Sequence, residues 1–342
     1  MCGKNYTEKH QKLSSDKPRV SIGMPVYNGE KYIKEAISSI LAQTFRDFEL
    51  IISDNASTDR TQQICLEFGA KDSRIRYYRN EKNLGAPRNF NRTFELSSGE
   101  YFKWAAYDDV HMPDFLQKCI NVLDNDSTVA LCHSKIGVID KNGVLIGNCD
   151  HRTMTKSYSP KAHERFGDLI SRRNPCWAIF GVMRASLLGR TPLHGDYVGA
   201  DRNLLAEIGL LGRFYEIPEY LFLRRDHPSS YTRMYCEDKF AVSANNYSAQ
   251  YAWWSKDKFT NFPNWKNCSG FFKSVRRVKL SWPERLLCYI QIFQWFMHEG
   301  WMFMGNDIES LLLRRSPLAR KLIPFAELNL NRTVIPAIKK MR

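Results

Sequence analysis

Two apolar runs in the first third of the chain each end in a cluster of acidic and amide side chains. Phe48-Glu49-Leu50-Ile51-Ile52 runs into Ser53-Asp54-Asn55-Ala56-Ser57-Thr58-Asp59, and Tyr101-Phe102-Lys103-Trp104-Ala105 runs into Ala106-Tyr107-Asp108-Asp109. Near-continuous apolar runs of this length read as strands buried on both faces. A segment of helical periodicity follows each cluster. Strand, acid cluster and helix in that repeated order constrain the fold to an open α/β sheet, whose ligands gather beyond the carboxyl ends of the strands. Carboxylates concentrated there suit a nucleotide and a divalent metal on its phosphates.

The neighbouring segments agree. Arg19-Val20-Ser21-Ile22-Gly23-Met24-Pro25 alternates as a first strand and meets the turn Tyr27-Asn28-Gly29. Asn28 or Gly29 is placed to cap a helix carrying Tyr32, Ile33, Ala36, Ile37 and Ile40. Ser57 or Thr58 is placed to cap the next, with Ile64, Cys65 and Phe68 inward. Ile75–Tyr78 reads as a third strand and Asn83-Leu84-Gly85 as a loop, with a helix of Phe90, Phe94 and Leu96 beyond it. Pro113 opens a helix with Phe115, Cys119, Ile120 and Leu123 inward, and Val129–Cys132 is a fifth strand. This alternation predicts a mostly parallel sheet with helices on both faces.

The pattern changes after residue 133. A hairpin is expected around Asn142-Gly143, a strand over 176–183, a helix over 201–211, and a strand at Tyr220–Leu223 before Arg224-Arg225-Asp226-His227. Residues 237–256 read as helical. The expected division is a disordered leader at 1–18, a main domain at 19–235 in two halves (19–133 and 134–235), and a C-terminal helical region at 236–342.

Charge and cysteines limit the functional classes. The formal net charge of +14 favours anionic partners without choosing among nucleotides, acidic lipids and nucleic acid. Nine cysteines with no C-x-x-C pair read as reduced thiols rather than a zinc site. The polar start lacks the apolar core of a signal peptide, and no uncharged apolar run of about 18 residues predicts a membrane span. A cytoplasmic protein is therefore expected. Residues 271–342 carry 13 Lys and Arg against 5 Asp and Glu, together with Leu286, Ile290, Phe293, Trp295 and Trp301 in one helical stretch. That segment suits either a peripheral contact with an anionic membrane or a helical cover on the core.

Pro25-Val26-Tyr27-Asn28, then Ser53 to Asp59, then Asn83-Leu84-Gly85, then Asp108-Asp109 form an ordered set that resembles family 2 glycosyltransferases of the GT-A fold. The resemblance covers roughly residues 19–230. It implies an inverting transferase that takes its sugar from a nucleoside diphosphate sugar, with a UDP-linked donor as the first expectation, and passes it to a glycan or lipid-linked glycan. It also implies Mn²⁺ or Mg²⁺ at the diphosphate.

On that reading Pro25, Tyr27, Asn28 and Asp54 contact base and ribose, with the Asp54 carboxylate able to accept a uracil imide N–H. Asn83, Gly85 and Arg88 serve the phosphates, Asp108 the ribose and metal, and Asp109 the metal as preferred ligand. His227 completes the metal shell or touches the diphosphate, and Arg224 and Arg225 stabilise the leaving group. Asp201, in Gly199-Ala200-Asp201-Arg202, is the expected general base, with Asp196 as competitor. Trp177, Phe180 and Gly181 are candidates for an acceptor platform, with core packing as their ordinary alternative. The family's metal motif, often D-x-D-D, has Ala106 at its first position here.

Two other classes fit less well. A nucleotidyltransferase would show an early Gly-rich phosphate loop, which Pro25 to Glu30 is not. A degenerate domain acting only as a membrane-surface or glycan binder would have no reason to keep Asp54, Asp108, Asp109 and Asp201. No finger, helix-turn-helix or RNA-binding signature supports nucleic acid.

Overall fold

A computed structural model describes residues 17–149, 155–171, 175–230 and 262–315. The expected leader, apart from its last two residues, and the expected helix over 237–256 lie outside the described residues.

The first half follows the predicted alternation. Strands β1 (Val20–Val26), β2 (Phe48–Asp54), β3 (Ile75–Arg79) and β4 (Tyr101–Trp104) alternate with helices α1 (Ile33–Leu41), α2 (Thr61–Gly69) and α3 (Ala86–Glu95). All three pairings among these strands are parallel. β1 and β2 are buried at every position, as a central parallel strand covered on both faces must be. Gly23 on β1 is obligatory for packing, because a Cβ there would fall 2.3 Å from Thr93 Oγ1 of α3.

The rest of the sheet comprises β5 (Val110–His111), β6 (Val129–Ile139), β7 (Leu145–Cys149), β8 (Val182–Arg184) and β9 (Arg213–Arg225). The strand order is β3-β2-β1-β4-β8-β6-β9-β5, with β7 attached to β6. Pairing beyond β4 is antiparallel except for β6 with β9, so the sheet is mixed. β6 continues through the span where a separate strand and hairpin arm were expected, and it joins β7 around Asn142-Gly143 as that dipeptide predicts.

One apolar cluster joins β1 and β2 to α1 and to α4 (Phe115–Asn125) through Ile22, Leu50, Ile37 and Leu116. The second joins Trp104 and Leu131 to α5 (Ala162–Ile170), α6 (Ala185–Leu188) and α7 (Ala200–Leu211). The C-terminal helices α8 (Pro263–Arg277) and α9 (Trp282–Trp295) pack on this second cluster through Phe271, Val275, Ile292 and Trp295. A π-helical turn at Phe296–Gly300 leads directly into α10 (Trp301–Arg315). α8 and α9 thus pack on the core, while residues 316–342 of the basic tail lie outside the described residues.

Three local expectations are corrected. Residues 177–180 form a 3₁₀ turn, not a strand, preceded by Cys176 at φ 63°. The α2 start is held by Asp59, whose Oδ1 accepts from the Thr61 backbone N–H at 3.0 Å, and not by Ser57 or Thr58. Asn28 caps no helix of its own; its Oδ1 accepts the Thr58 N–H at 2.8 Å.

Candidate active site

The loops after β1, β2 and β3 are stitched together by amide and hydroxyl side chains. The Asn28 N–H donates to Ser57 Oγ at 2.9 Å, and the Gly29 N–H to Thr61 Oγ1 at 2.8 Å. Asn55 is buried between the loops. Its Nδ2 donates to Asn83 Oδ1 at 2.9 Å and to the Gly85 carbonyl at 3.3 Å. Its Oδ1 accepts from Leu84 N and from Asn80 Nδ2 at 2.8 and 3.1 Å. Gly85, at φ 85°, opens α3 from the left-handed region that glycine adopts without strain. Tyr27 and Asn28 stay exposed at the rim, as does Arg88 on the first turn of α3.

Asp54 is wholly buried beneath these loops. One oxygen accepts from Ser57 N at 2.8 Å, and the other from Tyr77 Oη at 2.6 Å and Arg79 Nη1 at 2.9 Å. Arg79 reaches on to the Ser57 carbonyl at 2.9 Å and keeps a partly exposed guanidinium at the end of β3. Arg79 was not singled out in the sequence, and Asn55 was named only as a member of the Ser53–Asp59 cluster. The available signal for Arg79 was a cation closing the strand Ile75-Arg76-Tyr77-Tyr78.

The second acidic cluster divides its work. Asp109 is buried and its Oδ1 accepts the Arg225 backbone N–H at 2.8 Å. Burial, reinforced by the neighbouring Asp108 charge, holds the Asp109 carboxyl well above the ordinary range. Asp108 is more open, and its Oδ2 lies 3.0 Å from His227 Nε2. β9 delivers His227 to this point through its parallel pairing with β6 and its short pairing with β5. Tyr32 packs against the His227 ring at 4.6 Å between centroids.

Asp108 and His227 offer an oxygen and a nitrogen donor side by side, which fits a divalent cation. Among the described residues no cluster of three His, Cys, Asp or Glu side chains could hold a metal. A cation at this pair would therefore draw further ligands from a bound diphosphate and water.

The two arginines also differ. Arg225 is buried: its guanidinium donates to the Asp108 carbonyl at 2.8 Å, the Asp140 carbonyl at 3.2 Å and Glu35 Oε2 at 2.6 Å. It clasps the acidic turn to β9. Arg224 lies over the Trp177 ring, 5.1 Å from its centroid.

Of the three acceptor candidates, Phe180 packs on Phe222 at 5.6 Å, and Gly181 sits where a Cβ would fall 2.7 Å from the Cys132 carbonyl. Trp177 stays half-buried under Arg224. Asp201 lies in the first turn of α7, entered through Gly199 at φ 85°. Its Oδ1 accepts the Arg202 N–H at 2.8 Å, and burial raises its carboxyl above the ordinary range against the opposing Arg202 charge. Asp196 is exposed, 4.0 Å from Lys266 Nζ.

A mixed α/β sheet, parallel across its first four strands, with amide-bound loops and an Asp–His pair beyond those strands has the architecture of a nucleotide-binding fold. Residues 21–187 match the model of glycosyl transferase family 2. An uncharacterized glycosyltransferase of Haemophilus influenzae is 30% identical over 222 residues, covering 64% of this chain and 68% of that protein. The chain belongs to this family. An uncharacterized glycosyltransferase of Methanocaldococcus jannaschii, MJ1057, is 37% identical over 133 residues, or 38% of this chain; the chain spans 46% of that relative, less than half its length. In structure, S. aureus TarS 1–349, solved in complex with UDP, superposes with a TM-score of 0.57 at 16% identity, covering 82% of this chain and 72% of that one. The shared architecture is the GT-A type.

Proposed function

We propose that the chain is an inverting glycosyltransferase. It moves a sugar from a nucleoside diphosphate sugar to a hydroxyl of a glycan or lipid-linked glycan, with Mn²⁺ or Mg²⁺ at the diphosphate. The observation that carries this reading is the Asp108–His227 pair, 3.0 Å apart, formed where the carboxyl ends of the sheet open. A bound cation would neutralise charge developing on the departing diphosphate.

The chain's own residues supply the rest. Asn28, Asn55, Asn83 and Gly85 hold the loops that would frame the nucleotide, and Arg79 presents a cation beside them. Asp54 supports this frame from below through Ser57, Tyr77 and Arg79, leaving exposed Tyr27 and Asn28 for the base and ribose. Asp201 takes the proton from the acceptor hydroxyl as its oxygen attacks the anomeric carbon. The bond from that carbon to the diphosphate breaks on the opposite face, and its electron pair leaves with the diphosphate. A carboxyl raised by burial is the better base for this step, because its basicity is closer to that of the hydroxyl it serves.

A UDP-linked donor is the first to test, since TarS of the same architecture was solved with UDP. Among the described residues no helix is long and apolar enough to cross a membrane. A cytoplasmic protein that meets lipid-linked acceptors at the membrane surface fits that observation.

The deciding measurement is a thermal-shift screen of nucleoside diphosphates and their sugars, with and without Mn²⁺. Stabilisation by one nucleotide, increased by Mn²⁺, is the expected result, because a ligand specific to the native state raises the midpoint by mass action. Absence of any nucleotide-dependent shift would leave a non-enzymatic binding domain as the better account.

A further inference from the structure

α9, the π-turn and α10 form one unbroken helical run from Trp282 to Arg315. Its start is fixed locally: Ser281 accepts the Glu284 N–H at 3.4 Å, Pro283 occupies the first turn, and Glu284 Oε1 accepts the His163 N–H at 2.8 Å. One face is bound to the domain through Cys288, Ile292 and Trp295.

The opposite face is uncovered and apolar. Trp282, Leu286, Ile290, Phe293, Met297 and Trp301 follow one another at three- and four-residue steps and are 41–71% exposed. The stripe is roughly 30 Å long at the helical rise of 1.5 Å per residue. Between 282 and 308, none of the exposed residues is Asp, Glu, Lys or Arg. A surface this apolar marks a contact site.

The flank is cationic. Phe272 of α8 stacks on Tyr289 of α9 at 5.8 Å, which sets the exposed side of α8 beside the stripe. Arg276, one turn beyond Phe272, and Lys279 in the link from α8 to α9 are exposed, and neither has an ion pair among the described residues.

We propose that this face lies in the interfacial plane of an anionic membrane, with Trp282, Phe293 and Trp301 inserted among the acyl chains and Arg276 and Lys279 on the headgroups. Charge complementarity selects this occupant: an apolar stripe edged by unpaired cations matches an anionic lipid surface, whereas a second copy of the same face would bring like charges together. The helix lies along the surface and does not span it. The contact goes beyond sugar transfer and does not depend on it, since none of its residues belongs to the candidate active site.

The test is flotation of the full chain with phosphatidylcholine vesicles and with vesicles containing about one-third phosphatidylglycerol, at low and high salt. Binding to the anionic vesicles is expected to exceed binding to the neutral ones by about tenfold and to weaken with salt. Phe293→Ser with Trp301→Ser, and separately Arg276→Gln with Lys279→Gln, should each lower it about tenfold. The second variant and the salt series carry the test if the first fails to fold. Binding that is equal on both vesicle types, or unchanged in both variants, would overturn the proposal. So would a dimer by light scattering that Phe293→Ser with Trp301→Ser disperses. Nucleotide-dependent thermal shifts read the transfer site separately, so either reading can fail alone.

Discussion

Asp109 and Arg225 meet through backbone rather than through charge. The Asp109 carboxylate accepts the Arg225 N–H at 2.8 Å, while the Arg225 guanidinium turns away to Glu35 and to the carbonyls of Asp108 and Asp140. This arrangement locks the acidic turn onto β9 and leaves Asp108 as the member of the pair that faces His227.

Asp108→Asn and His227→Ala should each remove Mn²⁺-enhanced nucleotide binding and lower kcat/KM by at least about a hundredfold, as loss of a charge-stabilising group does. Calorimetric titration of Mn²⁺ with nucleotide checks this. Asp109→Asn should instead lower thermal stability more than metal affinity, because its oxygen holds a backbone N–H. A metal affinity lost only in Asp109→Asn would reverse the assignment.

Asp201→Asn should lose turnover and keep donor affinity, since a base acts in the transition state. The sign of the pH dependence follows from the raised carboxyl. Asp201 must be deprotonated to act, so kcat should fall as pH drops through a value above the ordinary carboxylate range. A kcat profile measured from pH 4 to 8 tests this. A flat profile, or near-normal turnover in the variant, would move attention to Asp196.

Arg225→Ala should destabilise the fold by about 3 kcal/mol, the scale for breaking a buried ionic and hydrogen-bonded cluster. Urea unfolding measures it. Arg224→Ala, which removes a guanidinium stacked on Trp177, should cost about 1 kcal/mol or less.

Lys103 is buried within the sheet, where its Nζ donates to the Trp104 carbonyl at 3.0 Å and lies 2.8 Å from His111 Nε2. Burial pushes the ammonium down to about 7. The unfolded chain therefore holds this proton at pH values where the folded one has released it. Stability should rise as pH increases from about 7 toward the unfolded lysine value near 10.4, with a slope of up to about 1.4 kcal/mol per pH unit from this group. Denaturant midpoints across that window should rise in the parent chain and flatten in Lys103→Met.

The parallel half was legible because its signals are local. The alternation at 19–25 and the near-continuous apolar run at 48–52 needed no knowledge of their neighbours to read as strands, and they end at the loops now seen to be held together through Asn28, Asn55 and Ser57. The turn at 177–180 was not legible, since a short apolar run fits a strand or a helical turn equally and Cys176 gives no compositional hint of a left-handed backbone. The Asp108–His227 contact was half legible: both residue types were expected at a metal site, but their pairing across 119 positions depends on how β9 lies against β6 and β5. Composition offers the Asp54 and Asp109 carboxylates as candidate ligand groups but does not show what they already accept: Ser57 N, Tyr77 Oη and Arg79 Nη1 for Asp54, and Arg225 N for Asp109. The role of Arg225 as a clasp lay equally out of reach, because Glu35 is 190 positions away.

β9 sits between β6 and β5, inside the sheet rather than at its rim. The region matched to the family model ends at residue 187, before this strand begins. A fragment trimmed to that boundary would keep the loops around Asn28 and Asn55, but it would lose Asp201 and His227. It would also leave the long strand β6 with a bare row of amides and carbonyls, a template for pairing with other chains. Such a fragment should precipitate or form strand-paired aggregates, so the smallest workable unit of this protein runs at least through His227.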